Sequence, residues 1–122
     1  MSRRVVVTGL GLISPVGVGT EATWAGLVAG QSGVGPITRF DATDYSVRIA
    51  AEVKGFQPET VMEAKEVKKY DLFVHFAAAA ADMAVADSGL VVDEGNAARV
   101  GVVIGSGIGG LPLIERTRDT LV

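Results

Sequence analysis

Two stretches of the chain decide its fold: VVVTGLG at residues 5–11 and VGVVIGSGIGG at residues 100–110. In each, a short run of mostly β-branched apolar residues leads directly into closely spaced glycines. Such a run is typical of a buried β-strand, and the glycines are typical of a tight turn at its end. We therefore predict strands over residues 4–8 and 99–104.

Two helices are predicted next to these strands. Thr20, with Glu21 in the first turn, indicates the start of a helix because a hydroxyl side chain and an early carboxylate both favour a helix N-terminus. Gly30 indicates its end, since glycine tolerates the left-handed conformation that closes many helices. Residues 112–120 predict the beginning of another helix after the second glycine turn.

The longest predicted helix covers residues 70–87, which are rich in alanine and contain no glycine or proline. Ser88-Gly89 indicates its end. Five consecutive alanines at residues 77–81 let neighbouring segments approach from any direction, so we expect this helix to be central and buried.

The remaining segments give weaker patterns. Residues 47–53 predict a short edge strand with imperfect alternation, and Pro58 suits the first turn of a short helix. The resulting order of strand, helix, loop with an edge strand, long helix, strand and helix is that of a layered α/β protein. Because the last helix has no following strand to pack with, we expect the chain to be part of a larger fold.

Composition excludes several classes of protein. The 122 residues are 48% hydrophobic and carry a net charge of -3, which favours a globular domain and disfavours a nucleic-acid partner. The chain has no cysteine, so it holds no disulfide, thiolate metal site or thiol nucleophile. Residues 5–7 are too short a run for a signal peptide, and no run approaches a membrane span, so we expect a cytoplasmic protein without membrane contact.

The glycines at 105, 107 and 110 formally satisfy the G-x-G-x-x-G pattern of a dinucleotide site between a strand and a helix. The acidic residue that completes that fingerprint would lie about 20 positions further on, beyond the sequence. Gly9 and Gly11 begin a similar pattern that has Ser14 in its third place. The other interpretation is that these glycines permit close backbone contact in crowded turns.

Lys65, Lys68 and Lys69 form a basic cluster just before the long helix. In one interpretation this is a solvated surface on which Glu63 and Glu66 pair with the lysines. In the other it is a docking surface for an acidic partner, because clustered charges speed and orient encounter.

No catalytic residue is predicted from the residue pattern. His75 is the only histidine and has no serine, cysteine or carboxylate at a spacing that indicates a triad. Asp82 and Asp87 lie five positions apart on the predicted long helix and therefore point away from each other.

Taken together, several blocks in order resemble the start of a beta-ketoacyl-[acyl carrier protein] synthase of the elongating type. Four of the blocks are VVVTGLGLISPVG at residues 5–17, GQSGVGPITRFD at 30–41, DSGL at 87–90 and RVGVVIGSGIGG at 99–110. The fifth block is the lysine-containing segment at residues 65–71. The string GSGIGG and the three lysines resemble the type II enzyme more than the type I. The resemblance covers nearly the whole chain.

This resemblance implies an α/β, thiolase-like layered fold of two similar halves that works as a homodimer. Residues 1–122 would be an incomplete N-terminal domain, the N-terminal portion of the first half only. The implied reaction is the decarboxylative condensation of malonyl-[acyl carrier protein] with an acyl-enzyme thioester in fatty acid elongation. It implies acyl carrier protein as partner, and no bound cofactor or metal.

The resemblance also assigns residues. The family's cysteine and two histidines would lie beyond Val122, so the chain contains no catalytic residue and is expected to be inactive alone. Lys65, Lys68 and Lys69 match the basic patch that receives carrier protein, with Lys68 where arginine is often found. Ile108 matches a residue that lines and gates the acyl pocket.

Two other hypotheses remain open at this point: a nucleotide-binding α/β domain, and a non-catalytic partner subunit of synthase fold. The sequence that follows Val122 in a longer polypeptide would separate all three. A cysteine and two histidines support the enzyme, and an acidic residue at a strand end supports nucleotide binding.

Overall fold

The longest element of the structure is the alanine-rich helix, and the glycines of both glycine turns lie against it. The computed structural model describes residues 2–122. Its elements, in chain order, are β1 Ile13–Ser14, β2 Gly17–Val18, α1 Thr20–Val28, β3 Gly35–Pro36, β4 Ile49–Ala50, α2 Ala64–Val67, α3 Leu72–Ser88 and α4 Leu111–Leu121, with single 3₁₀ turns at Pro58–Thr60 and Ala97–Arg99. Helix and strand are mixed, as an α/β protein requires.

Helix α3 confirms the prediction of a long helix over nearly the same residues. Asp71 caps its start by accepting a hydrogen bond from the Leu72 N–H, and Gly89, at φ 64°, ends it. Its alanines allow the N-terminal segment to lie directly on its backbone. A β-carbon added to Gly11 would lie 2.0 Å from the Ala80 carbonyl oxygen, so only glycine fits there.

The segment at residues 9–11 is also tied to α3 by a hydrogen bond. The Leu10 N–H donates to the Asp87 carboxylate, with 2.8 Å between nitrogen and oxygen. A β-carbon added to Gly9 would lie 2.2 Å from the Ala84 carbonyl oxygen. The glycines of the first turn therefore serve close contact between two backbones.

Helix α1 also confirms its prediction, and Gly30 follows it at φ 65°. Its start differs in detail, since Gly19 is the cap residue and Thr20 donates its hydroxyl to the Leu10 carbonyl at 3.2 Å. Strands β1 and β2 form an antiparallel hairpin beside this helix. Buried Thr23 joins hairpin to helix by donating to the Gly17 carbonyl at 3.0 Å.

The strands predicted over residues 4–8 and 99–104 are wrong for this chain as it stands. Neither segment pairs with any other among residues 2–122, and the only ladders are β1 with β2 and β3 with β4. A β-branched run forms a strand only when a neighbour accepts and donates its backbone hydrogen bonds. Val5 and Val103 are accordingly 88% and 98% exposed.

The edge strand predicted over residues 47–53 is shorter than expected. Strand β4 contains only Ile49–Ala50 and pairs antiparallel with Gly35–Pro36 of β3. Proline has no N–H to donate, so its place on a two-stranded edge is permitted.

Two carboxylates in the loops have a lowered pKa. The Thr38 hydroxyl donates to Glu52 at 2.6 Å, and this bond, followed by one from the Thr38 N–H, lowers the pKa of Glu52. The Thr43 hydroxyl lowers the pKa of Asp41 in the same way. Each bond favours the ionised form, so its contribution to stability is present above the ordinary pKa and lost as pH falls through the lowered value.

The structure buries little apolar surface. Ala79 is its one fully covered apolar residue among residues 2–122. The accessible surface is 9807 Å², whereas a folded monomer of 12.6 kDa exposes about 6,200 Å². About 3,600 Å² of surface is thus in excess of what a self-sufficient domain of this mass would expose.

Over residues 2–122, every helix is too short or too polar to cross a lipid bilayer.

Candidate functional site

The basic cluster lies on the surface at the end of helix α2. Lys65 lies within this short helix, Lys68 is its C-terminal cap residue, and Lys69 follows it. All three side chains are exposed. Because α2 ends at Val67, a continuous helical face through Lys65 and Lys69 is not formed.

One member of the cluster already has an acidic neighbour. The Lys65 Nζ lies 2.7 Å from Glu63 Oε2, and the two side chains are 69% and 72% exposed. An exposed pair of this kind contributes about 0–1 kcal/mol, so a stronger acidic partner can displace Glu63. The solvated and docking interpretations of the cluster are therefore compatible.

Ile108 lies in the second glycine turn, which the structure holds in an unusual conformation. Gly109 and Gly110, directly after it, have φ of 58° and 63°. The Phe73 ring packs against both, since a β-carbon added to Gly109 would lie 3.0 Å from Phe73 Cδ2. Ile108 itself is 78% exposed, which leaves its side chain free to contact another group.

An open, largely apolar cleft of about 490 Å³ lies between residues 11–13, helix α3 and residues 104–106. Phe73 and Phe76 line it from the helix, and Ile104 lines it from the opposite side. Ile108 is not among its lining residues. The cleft and the Ile108 turn share Phe73 as a common wall.

Asp71 follows the basic cluster by two residues and bonds to the start of helix α4. It was not predicted as a site residue from the sequence. Its Oδ1 accepts from the Leu72 N–H at 2.9 Å, and its Oδ2 accepts from the Leu113 N–H at 3.2 Å. An aspartate before an apolar helix is a recognisable cap signal, which sequence reasoning missed. The second bond, to a residue 42 positions away, has no sequence signal.

This geometry is unfavourable to a nucleotide at either glycine turn. A pyrophosphate would sit at the N-terminus of α4, where backbone N–H groups attract negative charge. The Asp71 carboxylate already lies there and accepts from Leu113. At the other turn, Gly9 and Gly11 face the backbone of α3, which leaves no room for a ligand.

His75 and Asp87 of helix α3 are placed for packing and for backbone contact, with no catalytic partner beside them among residues 2–122. His75 is 5% exposed, and neither of its ring nitrogens has a hydrogen-bond partner among residues 2–122. Asp87 holds Leu10. With no cysteine in the chain, no nucleophile and base are brought together.

Comparison with known proteins is consistent with these features. Residues 2–121 match the family described as "Beta-ketoacyl synthase, N-terminal domain". Proteins named "3-oxoacyl-[acyl-carrier-protein] synthase 2" from Coxiella burnetii and Vibrio cholerae are each 54% identical over 120 residues. The protein of that name from Synechocystis is 48% identical over 120 residues.

The aligned region covers 98% of this chain but only 29% of the length of each of these three relatives. A solved structure titled "The ishigamide ketosynthase/chain length factor" aligns with a TM-score of 0.66 and 45% identity, over 73% of this chain and 22% of the other. This likeness indicates a ketosynthase fold, of which the mixed helices and strands form a part. Since the family match extends over residues 2–121, the chain belongs to the beta-ketoacyl synthase family.

Proposed function

We propose that this chain is the N-terminal part of a 3-oxoacyl-[acyl carrier protein] synthase, an acyltransferase of fatty acid elongation. The observation that carries the proposal is the match over residues 2–121, with 54% identity to relatives named for that activity. The chain would then be part of a longer polypeptide, the whole synthase.

The proposed reaction joins two acyl units. A cysteine thiolate first attacks the thioester of acyl-[acyl carrier protein], so the acyl group moves to the cysteine and the carrier-protein thiol is released. Malonyl-[acyl carrier protein] then loses carbon dioxide to give a carbanion. The carbanion attacks the thioester carbonyl, so a carbon–carbon bond forms, the acyl–sulfur bond breaks, and the thiolate leaves. The products are 3-oxoacyl-[acyl carrier protein], carbon dioxide and free enzyme, with no bound metal or cofactor required.

The chain itself supplies none of the reacting groups in this proposal. It has no cysteine, and its one histidine, His75, is a buried residue of helix α3 whose ring nitrogens have no hydrogen-bond partner in residues 2–122. The nucleophile and two histidines would come from other residues of the whole synthase. The 122 residues alone would be inactive.

The chain's contribution would be scaffold, docking surface and pocket wall. We place it in the first half of a thiolase-like layered fold, in a cytoplasmic homodimer that binds neither nucleic acid nor membrane. The surface in excess of that of a self-sufficient domain supports this placement, because strand-like segments such as residues 4–8 and 99–104 need further strands to cover them.

The basic cluster is the proposed docking surface for acyl carrier protein. Reversing the charge at Lys65 and Lys69 together should raise the KM for acyl-[acyl carrier protein] roughly tenfold, because two exposed attractions of less than about 1 kcal/mol each become repulsions. Steady-state kinetics of the whole synthase at low and moderate salt measure this, and the effect should shrink as salt rises.

Two matched variants control that experiment. Lys54→Glu makes the same single charge change elsewhere on the surface and should alter the KM less than either Lys65→Glu or Lys69→Glu. Glu63→Gln removes the acidic neighbour of Lys65 and should leave the KM equal or lower. Unchanged kinetics in the double charge reversal would rule out this docking surface.

Ile108 is the proposed wall of the acyl pocket. Ile108→Phe should shorten the longest acyl chain accepted, with kcat/KM for that chain falling roughly tenfold or more, because a pocket discriminates at about this level per added carbon group. Kinetics over a series of acyl lengths measure it. Ile108→Val, which adds no bulk, should keep the longest chains, and an unaltered profile in Ile108→Phe would remove the assignment.

The function as a whole is tested by incubating the whole synthase with acyl- and malonyl-[acyl carrier protein] and detecting the 3-oxoacyl product by mass spectrometry. A folded protein that makes no product, alone or with a second ketosynthase chain, would contradict the proposal. Product formed only with such a second chain would favour a non-catalytic partner subunit. Saturable binding of a dinucleotide without condensation would favour the nucleotide-binding alternative.

A further inference from the structure

One carboxylate links the start of helix α3 to the start of helix α4. Asp71 Oδ1 accepts from the Leu72 N–H at 2.9 Å, and Oδ2 accepts from the Leu113 N–H at 3.2 Å. Both donors belong to the first turns of their helices. The Leu113 N–H also donates to the Gly110 carbonyl at 3.0 Å, so it is shared between that oxygen and Asp71. A negative charge is favourable at each N-terminus, so both oxygens of Asp71 are well placed.

The same end of α3 contacts the turn that precedes α4. The Phe73 ring lies against Gly109 and Gly110, so closely that an added β-carbon would be 3.0 Å and 3.3 Å from its carbons. Both glycines have positive φ, a conformation that other residues rarely adopt. Two contacts therefore fix the turn at residues 107–110: the bond from Leu113 of α4 to Asp71, and the packing of Phe73 against Gly109 and Gly110.

The two segments that the Asp71 bond joins lie next to the residues with proposed roles. Lys69 lies two residues before Asp71, at the end of the basic cluster, and Ile108 directly precedes Gly109. Nothing else in α4 reaches α3 by a hydrogen bond among residues 2–122. The position of Ile108 relative to α3 therefore depends on the bond between Asp71 and Leu113 together with the contact between Phe73 and the two glycines.

We propose that Asp71 is a positioning residue that fixes Ile108 in the wall of the acyl pocket and thereby determines how sharply the enzyme selects acyl chain length. This inference rests on the proposed synthase function. Asp71 does not contact the reacting atoms in it, and acts only through the turn at residues 107–110.

The test uses Asp71→Asn in the whole synthase. Asparagine still caps α3 with its one carbonyl oxygen, but its NH₂ group cannot accept from Leu113. Released from this bond, the turn should yield to longer chains. In the wild-type enzyme kcat/KM should fall between the preferred and the longest acyl chains. In Asp71→Asn this fall should be roughly fivefold smaller, the factor that corresponds to one ordinary hydrogen bond.

The matched control is Asp87→Asn. Asp87 also accepts from a distant backbone N–H, that of Leu10 at 2.8 Å, and so ties two segments together in the same way. It holds the N-terminal segment, far in sequence from Ile108. Asparagine keeps an acceptor for the Leu10 N–H but loses the charge that strengthens the bond, so Asp87→Asn should lower the thermal midpoint without changing the chain-length profile. Both aspartate variants should keep the KM for carrier protein within about twofold.

A double-mutant cycle with Ile108→Phe tests whether Asp71 acts through Ile108, because coupled residues show non-additive effects. The effect of Asp71→Asn on the profile should be smaller in the Ile108→Phe background. Hydrogen exchange gives a readout without activity: the amides of residues 108–114 should exchange faster in Asp71→Asn but not in Asp87→Asn. Asp71→Ser, whose short hydroxyl caps only α3, should reproduce each result if the asparagine variant folds poorly.

The outcomes separate the two proposals. A wild-type whole synthase without condensation activity contradicts the proposed function. An active wild type whose profile and exchange at residues 108–114 are unchanged in both Asp71 variants overturns only the positioning role. Similar profile changes in the Asp71 and Asp87 variants would also overturn it, because they would reflect general destabilisation.

Discussion

The 122-residue chain alone should bind a hydrophobic dye such as ANS strongly and should melt without a cooperative transition. Cooperative unfolding requires a core whose contacts are lost together, and Ala79 is the one apolar residue that residues 2–122 cover fully. Valines such as Val5 and Val103 remain open to solvent. Dye fluorescence and calorimetry of the purified chain measure both effects.

The whole synthase is the control for this prediction. It should bind little dye and melt cooperatively, because the excess surface of about 3,600 Å² would be covered there. A sharp, concentration-independent melt of the isolated chain with little dye binding would contradict the prediction. A sharp melt that strengthens with concentration would instead indicate that the exposed segments pair between copies, which sedimentation would reveal.

Gly11→Ala should destabilise the whole synthase by about 3 kcal/mol or more, because its new β-carbon would overlap backbone atoms that cannot rotate away. That carbon would lie 2.0 Å from the Ala80 carbonyl oxygen and 2.8 Å from the Ala84 nitrogen. Residues 9–11 would have to separate from α3, which also weakens the bond between Leu10 and Asp87. Urea unfolding monitored by circular dichroism measures the change.

Gly35→Ala is the matched control for that substitution. The nearest atom to its added β-carbon is the flexible Lys54 Nζ at 4.0 Å, so we expect a change within about 0.5 kcal/mol. Equal unfolding midpoints for Gly11→Ala and Gly35→Ala would show that residues 9–11 do not lie on α3 in the whole synthase.

The helices were predictable because their signals are local. The alanine-rich composition of α3, its stop at Gly89 and the stop of α1 at Gly30 all act within a few residues of where they stand. The helix predicted over residues 112–120 also formed, as Leu111–Leu121. Most backbone hydrogen bonds of a helix join residues four positions apart, so these elements form without a distant strand partner.

The strands were not predictable in the same way. Residues 4–8 and 99–104 have the composition of buried strands, yet pairing depends on neighbours that residues 2–122 do not supply. The pairs that did form, β1 with β2 and β3 with β4, contain only two residues on each side. Two residues are too few to leave a pattern of alternation in the sequence.

The candidate site was predictable in part. The basic cluster and Ile108 were identified from the sequence, through the family resemblance, and their roles stay predictions. Asp71 was missed, since nothing at residue 71 indicates a second bond to residue 113. The competing nucleotide interpretation could not be decided from glycine spacing, because the same glycines suit a phosphate or a close backbone contact.

The sequence by itself determined the family, the helices and the absence of a cysteine nucleophile from these residues, because ordered motifs, local propensity and composition need no coordinates. Only the tertiary structure decided that Gly9 and Gly11 face the backbone of α3 and that Asp71 closes the N-terminus of α4. Those facts depend on which distant segments meet, and a contact between residues 42 positions apart is fixed by packing in three dimensions.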